Sequence, residues 1–139
     1  MLRFAALLFA VLPIAALSNP VSAQTAIDDD AAGPALFEAT CGGCHGLGGE
    51  GDGPLAALLT VPVPDITILA AENDGEFPML DVIHVIDGRS GLRGHESAMP
   101  VFGNLYTMRQ RLESEDFDAV IETRGRVLVI AEYLQSIQK

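Results

Sequence analysis

Residues 39–53 read ATCGGCHGLGGEGDG, a stretch that holds Cys41 and Cys44, the only two cysteines of the chain, with His45 directly after the second. Two cysteines separated by two residues close a small strained ring when oxidised, which suits thiol exchange better than stapling a fold. A dithiol exchange site sits at the head of a helix in a βαβ unit. Here a glycine- and proline-rich loop follows, with no strand pattern. Zinc would need a fourth ligand beyond Cys41, Cys44 and His45, and two neighbours in the chain seldom both reach one tetrahedral ion.

The remaining reading of C-x-x-C-H is covalent haem attachment, in which each residue has a physical task. The two thiols add across the porphyrin vinyl groups as thioethers, and the two-residue spacer lets both sulfurs meet one edge of a flat ring. Gly42 and Gly43 put no side-chain bulk against that edge. His45 is carried beneath the iron, where an imidazole nitrogen serves as the proximal axial ligand. One haem c with its iron is therefore the expected cofactor.

The start of the chain sets the compartment. Arg3 follows the positive amino end, residues 4–17 are almost wholly apolar, and SNPVSAQ then offers Val21, Ser22 and Ala23 as a cleavage pattern before Gln24. We read residues 1–23 as a secretory signal and residues 24–139 as a single domain exported to the bacterial periplasm. The apolar run is shorter than the ~20 residues a spanning helix needs, so no membrane span is expected after cleavage. Beyond residue 23 the chain carries 7 basic and 19 acidic residues, a net charge of −12. Such a balance excludes nucleic acid and an anionic membrane surface as partners, and it predicts redox proteins with basic docking faces.

The coarse pattern is helical, with no candidate sheet. Residues 24–32 read as a solvated acidic lead-in, and a first helix is expected from near Pro34 to the haem motif, with Leu36 and Phe37 facing inward. The glycines at 46, 48, 49, 51 and 53 lack the phosphate-loop pattern, and Glu50 and Asp52 would repel phosphate, so tight loop packing is expected there. VPVPDIT is extended through Pro62 and Pro64. A second helix fits FPMLDVIHVIDG, with Pro78 near its start, Gly88 past its end, and Leu80, Ile83 and Ile86 as its apolar stripe. Ser114 is the expected N-cap of an acidic helix that Gly125 separates from a last one, where Val127, Ile130, Leu134 and Ile137 recur at helical spacing.

From GPALFEATCGGCHGLGGEGDGP through VPVPDIT and VIDGRSGLRGHESAMPVFG to GRVLVIAEYLQSIQ, the chain resembles the monohaem class I c-type cytochromes. The resemblance implies an all-α fold of about four to five helices wrapped around one covalently attached haem, the last helix crossing the first near Phe37. It also implies a second axial ligand. Met79, Met99, Met108, His84 and His95 are available, and we choose Met99 in SAMPVFG, where Pro100 stiffens the backbone and Gly103 lets the chain turn close to the ring. Met79 and Met108 read as core methionines and His84 as a surface histidine; His95 falls where the family carries histidines that are not ligands. A proline carbonyl, from Pro62 or Pro64, is implied as the acceptor for the other His45 ring N–H. Arg89 and Arg93 read equally as partners of haem propionates or as solvated charges. No role is assigned to residues 105–123.

With His45 and Met99 both on the iron, neither face is left for a small-molecule substrate, so the expected function is one-electron carriage rather than enzymatic turnover. Two alternatives stand beside it. One is a haem subunit of a periplasmic dehydrogenase or oxidase complex, and the other a haem enzyme or ligand sensor with a labile distal position.

Overall fold

The computed structural model of the chain describes residues 29–88, 99–112 and 116–139. The leader at 1–23, the residues Arg89, Arg93 and His95, and the Ser114 cap lie outside them. Among the described residues the regular elements are α1 (Asp29–Thr40), α2 (Gly42–His45), α3 (Met79–Asp87), α4 (Phe102–Arg111) and α5 (Asp116–Ser136), with one 3₁₀ turn at Ala56–Leu58 and no strand. This is the all-α architecture expected of the sequence. None of these helices is long and apolar enough to cross a membrane.

Helix α1 starts five residues earlier than the proline suggested, and Pro34 lies inside it. The proline removes one backbone bond, to the carbonyl of residue 30. Tertiary contact offsets that loss: a Cβ added at Gly33 would lie 2.8 Å from the Tyr133 Cβ, so the opening turns of α1 lie directly on α5. One turn further on, Phe37 is 1% exposed, its ring 5.3 Å from that of Tyr133 and tilted by 52°. The first and last helices thus cross where the family resemblance implied.

Gly125 does not divide two helices, because α5 runs through it unbroken. Glycine in a helix interior costs about 1 kcal/mol relative to alanine. Against that, Ala119, Thr123, Val127, Ile130, Ala131 and Leu134 form one buried stripe along the helix, and each large apolar side chain contributes about 1.5–3 kcal/mol. Helices α1, α3 and α4 all pack on α5.

Helix α3 is bounded as expected, by Pro78 and by Gly88, whose left-handed φ of 88° lets its N–H reach the His84 carbonyl at 2.9 Å. Its buried stripe differs from the expected one: Val82 and Ile86 are buried and Met79 and Ile83 pack beside them, while Leu80 is 69% exposed. The two stripes share Ile83 and Ile86, and only the position of the neighbouring helices decides between them. Gly103 also differs. It lies within α4, where a Cβ would come 2.5 Å from the Asp87 carbonyl oxygen, so it permits close approach of α4 to the end of α3 rather than a turn towards a ring. Met108 is 68% exposed and is not a core methionine, whereas Met79 packs against the core as expected.

The segment without an assigned role becomes α4 and the first half of α5, packed together. Thr107 donates its hydroxyl to Thr123 at 3.2 Å, Gln110 bonds Glu122, and the Arg126 guanidinium lies 5.6 Å from the centre of the Tyr106 ring. Tyr106 in turn donates to the Thr40 hydroxyl at 3.0 Å, which ties α4 to the end of α1 beside the motif.

Candidate cofactor cleft

The motif continues α1 with little interruption. The Cys41 N–H bonds the Phe37 carbonyl at 2.7 Å, and the Cys44 and His45 N–H groups bond the Cys41 carbonyl at 3.1 and 2.9 Å. Both sulfurs and the imidazole therefore ride on backbone held by the buried Phe37. The glycine loop then folds back under the motif. Gly51 donates to the His45 carbonyl at 2.9 Å and Gly53 to the Cys44 carbonyl at 3.1 Å, while Ile66 donates to the Gly49 carbonyl at 2.8 Å. At Gly53 a Cβ would fall 2.5 Å from the Cys44 carbonyl carbon, and at Gly51, with φ of 80°, 2.5 Å from the Val63 oxygen. The loop is packed between the motif and the extended segment, as the packing reading required.

A cleft of ≈ 760 Å³, part of it open to solvent, lies above this base. Thr40, Cys41, Cys44 and His45 contribute to its lining from the motif. Leu59 and the stretch Val61, Pro62, Val63 and Pro64 add apolar surface, and Met99, Pro100 and Phe102 complete it. Cys41, Cys44, His45 and Met99 thus share one cleft, although Met99 follows His45 by 54 residues. Met79 and His84 do not line it. Sequence reasoning missed Thr40, Leu59, Val61, Val63 and Phe102 as lining residues; the available signal was the absence of charge from residues 53–64 in so acidic a chain.

The chemistry of the donors separates the readings. Both cysteines are free thiols, and burial, then the neighbouring Cys44, push the Cys41 thiol up to about 11. Dithiol exchange needs a depressed thiol pKa, so this cysteine is tuned the wrong way for it. Among the described residues no three His, Cys, Asp or Glu side chains converge as a metal cluster, so no zinc-type ligand set is assembled.

Burial lowers the pKa of His45, and the Pro64 carbonyl opposes that fall as a hydrogen-bond acceptor. The neutral imidazole that burial favours is the form that binds a metal. Its Nδ1 is buried and makes no hydrogen bond of normal geometry. Of the two expected prolines, Pro64 is the one whose carbonyl bears on the protonation of the ring. Two thiols, a neutral imidazole and a thioether around one apolar cleft fit a covalently held haem.

Searches among curated proteins and among solved structures return no match. The family model for cytochrome c matches residues 31–122, which take in α1, the C-x-x-C-H motif, the extended segment, Met99 and α4. The chain belongs to the cytochrome c family and is a haem-binding electron-transfer protein whose cofactor is covalently bound haem c with its iron.

Proposed function

We propose that the chain is a one-electron carrier of the bacterial periplasm, in which Cys41 and Cys44 tether the haem and His45 and Met99 are its axial ligands. The observation that carries the reading is the shared cleft: the two thiols, the imidazole and the thioether all line it. Bound haem supplies an iron that takes up or releases a single electron.

The chain's own residues set the conditions for that exchange. Leu59, Val61, Val63 and Phe102 give the cleft an apolar lining, which around bound haem would favour the less charged, ferrous state. The Pro64 carbonyl is the nearby acceptor that the His45 ring N–H would take once the ring bound iron. The net charge of −12 beyond residue 23 steers the protein towards basic faces on its redox partners and makes the encounter weak and salt-sensitive. Residues 1–23 direct export and are removed.

Visible absorption of protein matured with haem-attachment machinery tests the assignment. The wild type is expected to show c-type bands and the long-wavelength ferric band of iron–sulfur ligation. Met99→Ala should lose that band and Met79→Ala should keep it; the reverse would move the distal ligand to Met79. Haem that stays attached through denaturing electrophoresis in the Cys41→Ser, Cys44→Ser double variant would refute the tether. Purification in a stable complex with a dehydrogenase would make the chain a subunit rather than a free shuttle, with the same site.

A further inference from the structure

Just past α5, the chain folds onto the segment that backs the motif. Gln138 donates from Nε2 to the Ile66 carbonyl at 2.9 Å and to the Leu134 carbonyl at 2.7 Å, and its Oε1 accepts from the Ala70 N–H at 2.9 Å. The Lys139 N–H bonds the Thr67 carbonyl at 2.8 Å, and its Nζ reaches Glu50 at 2.6 Å. One glutamine side chain thus bridges residues 66 and 70 to the last turn of α5, using both ends of its amide.

The segment it holds is joined directly to the cleft. Ile66 is tied on its other side to Gly49, and it stands two residues after Pro64. A Cβ at Gly51 would lie 3.1 Å from the Pro64 oxygen, and Gly51 itself bonds the His45 carbonyl. The Pro64 carbonyl therefore lies against the glycine loop, two residues before the turn that Gln138 anchors, and Pro64 and His45 line the same cleft. Ile66 is held from one side by Gly49 and from the other by Gln138, and Ala70 by Gln138, so the backbone that follows Pro64 is pinned at both ends of the turn.

We infer that Gln138 is a positioning residue for the proximal side of the site: by tying the 66–70 turn to α5 it sets how firmly the Pro64 carbonyl meets the His45 ring. The inference rests on His45 being the proximal ligand. The buried His45 Nδ1 has no partner in the structure; once iron held the other ring nitrogen, a bond closed from it to the Pro64 carbonyl would make the imidazole a stronger electron donor and so stabilise the more highly charged ferric iron. Loosening the turn weakens that donation, so the reduction potential rises.

The test uses the haem-loaded protein with Gln138→Ala and with Gln138→Glu, which keeps the acceptor for the Ala70 N–H but cannot donate to Ile66. Ser136→Ala is the control, since it removes an exposed hydroxyl bond to the Tyr133 carbonyl in the same helical turn. Two quantities are read: the reduction potential, and exchange of the His45 ring proton with solvent followed by NMR in the ferrous state. Both Gln138 variants are expected to raise the potential and to speed ring-proton exchange on the order of tenfold, the factor that losing the net worth of about one hydrogen bond gives. Ser136→Ala should leave both unchanged. Gln138 variants that lower the thermal midpoint yet keep wild-type potential and exchange would overturn the inference. His45→Ala with an unaltered axial spectrum would instead refute the ligand reading beneath it, an outcome visible without any Gln138 variant.

Discussion

Gly51→Ala tests how tightly the glycine loop is pressed between the motif and the extended segment. The residue has φ of 80°, a left-handed conformation that costs a residue with a Cβ roughly 1–2 kcal/mol. The new Cβ would also sit 2.5 Å from the Val63 oxygen, a backbone atom that cannot rotate away. Relief requires Val63 and Pro64 to shift, and forced rearrangement of packed structure adds about 1–3 kcal/mol. The expected loss is therefore on the order of 2–5 kcal/mol out of a stability of about 5–15 kcal/mol. For a domain this size, that lowers the thermal midpoint by on the order of 10–20 °C.

The assay is thermal or urea unfolding of haem-loaded protein, with Gly125→Ala as an internal control. Gly125 is an exposed glycine in the interior of α5, and a Cβ there meets nothing within 4 Å. The same substitution should thus stabilise there, by about 0.5–1 kcal/mol. Because Val63 and Pro64 line the cleft, Gly51→Ala should also disturb the axial-ligand bands while leaving haem attached. A Gly51→Ala protein within about 0.5 kcal/mol of wild type would refute the packing argument, since an effect that small is typical of an unconstrained surface position.

Three further outcomes are expected. Phe37→Ala removes a buried ring at the crossing of α1 and α5 and should cost about 3–5 kcal/mol in urea unfolding; a loss below 1 kcal/mol would mean that the crossing does not carry the core. The Thr67 hydroxyl and amide, with Lys139 adding to them, hold the Asp65 carboxyl below the usual carboxylate range, so its contribution to stability is present above the unfolded value near ~3.9 and is lost as pH falls through the folded value. Asp65→Asn should accordingly flatten the acid limb of the stability curve below about pH 4, measured by circular dichroism, and an unaltered limb would count against the Thr67 contacts. Electron transfer to a cationic inorganic complex should slow as salt is raised, through screening of the acidic surface; rates independent of ionic strength would remove charge steering from the proposal.

The motif was legible because its chemistry is local. Cys41, Cys44 and His45 lie within five residues, and the helix that positions them needs only Phe37 one turn earlier. Met99 was reachable through its loop chemistry, and the cleft contains it. What escaped the sequence depends on contacts between distant residues. Gly125 is a local helix breaker that a continuous buried stripe overrides, and the early start of α1 rests on Gly33 meeting Tyr133 from the far end of the chain. Gln138 meets its partners Ile66 and Ala70 across 72 and 68 positions, a pairing that no periodicity encodes.

Helix α5 lies against α1, which leads into the thiols, and against α4, which begins three residues after Met99. Both halves of the cleft therefore lean on one element, and losing that element would release both. On the proposed His45 and Met99 ligation, loss of α5 should take the iron–sulfur band with it, so the band should not outlast the slowest amide protons of α5. The unbroken run from Asp116 to Ser136 makes that element a single unit, so the thiol side and the methionine side share one support.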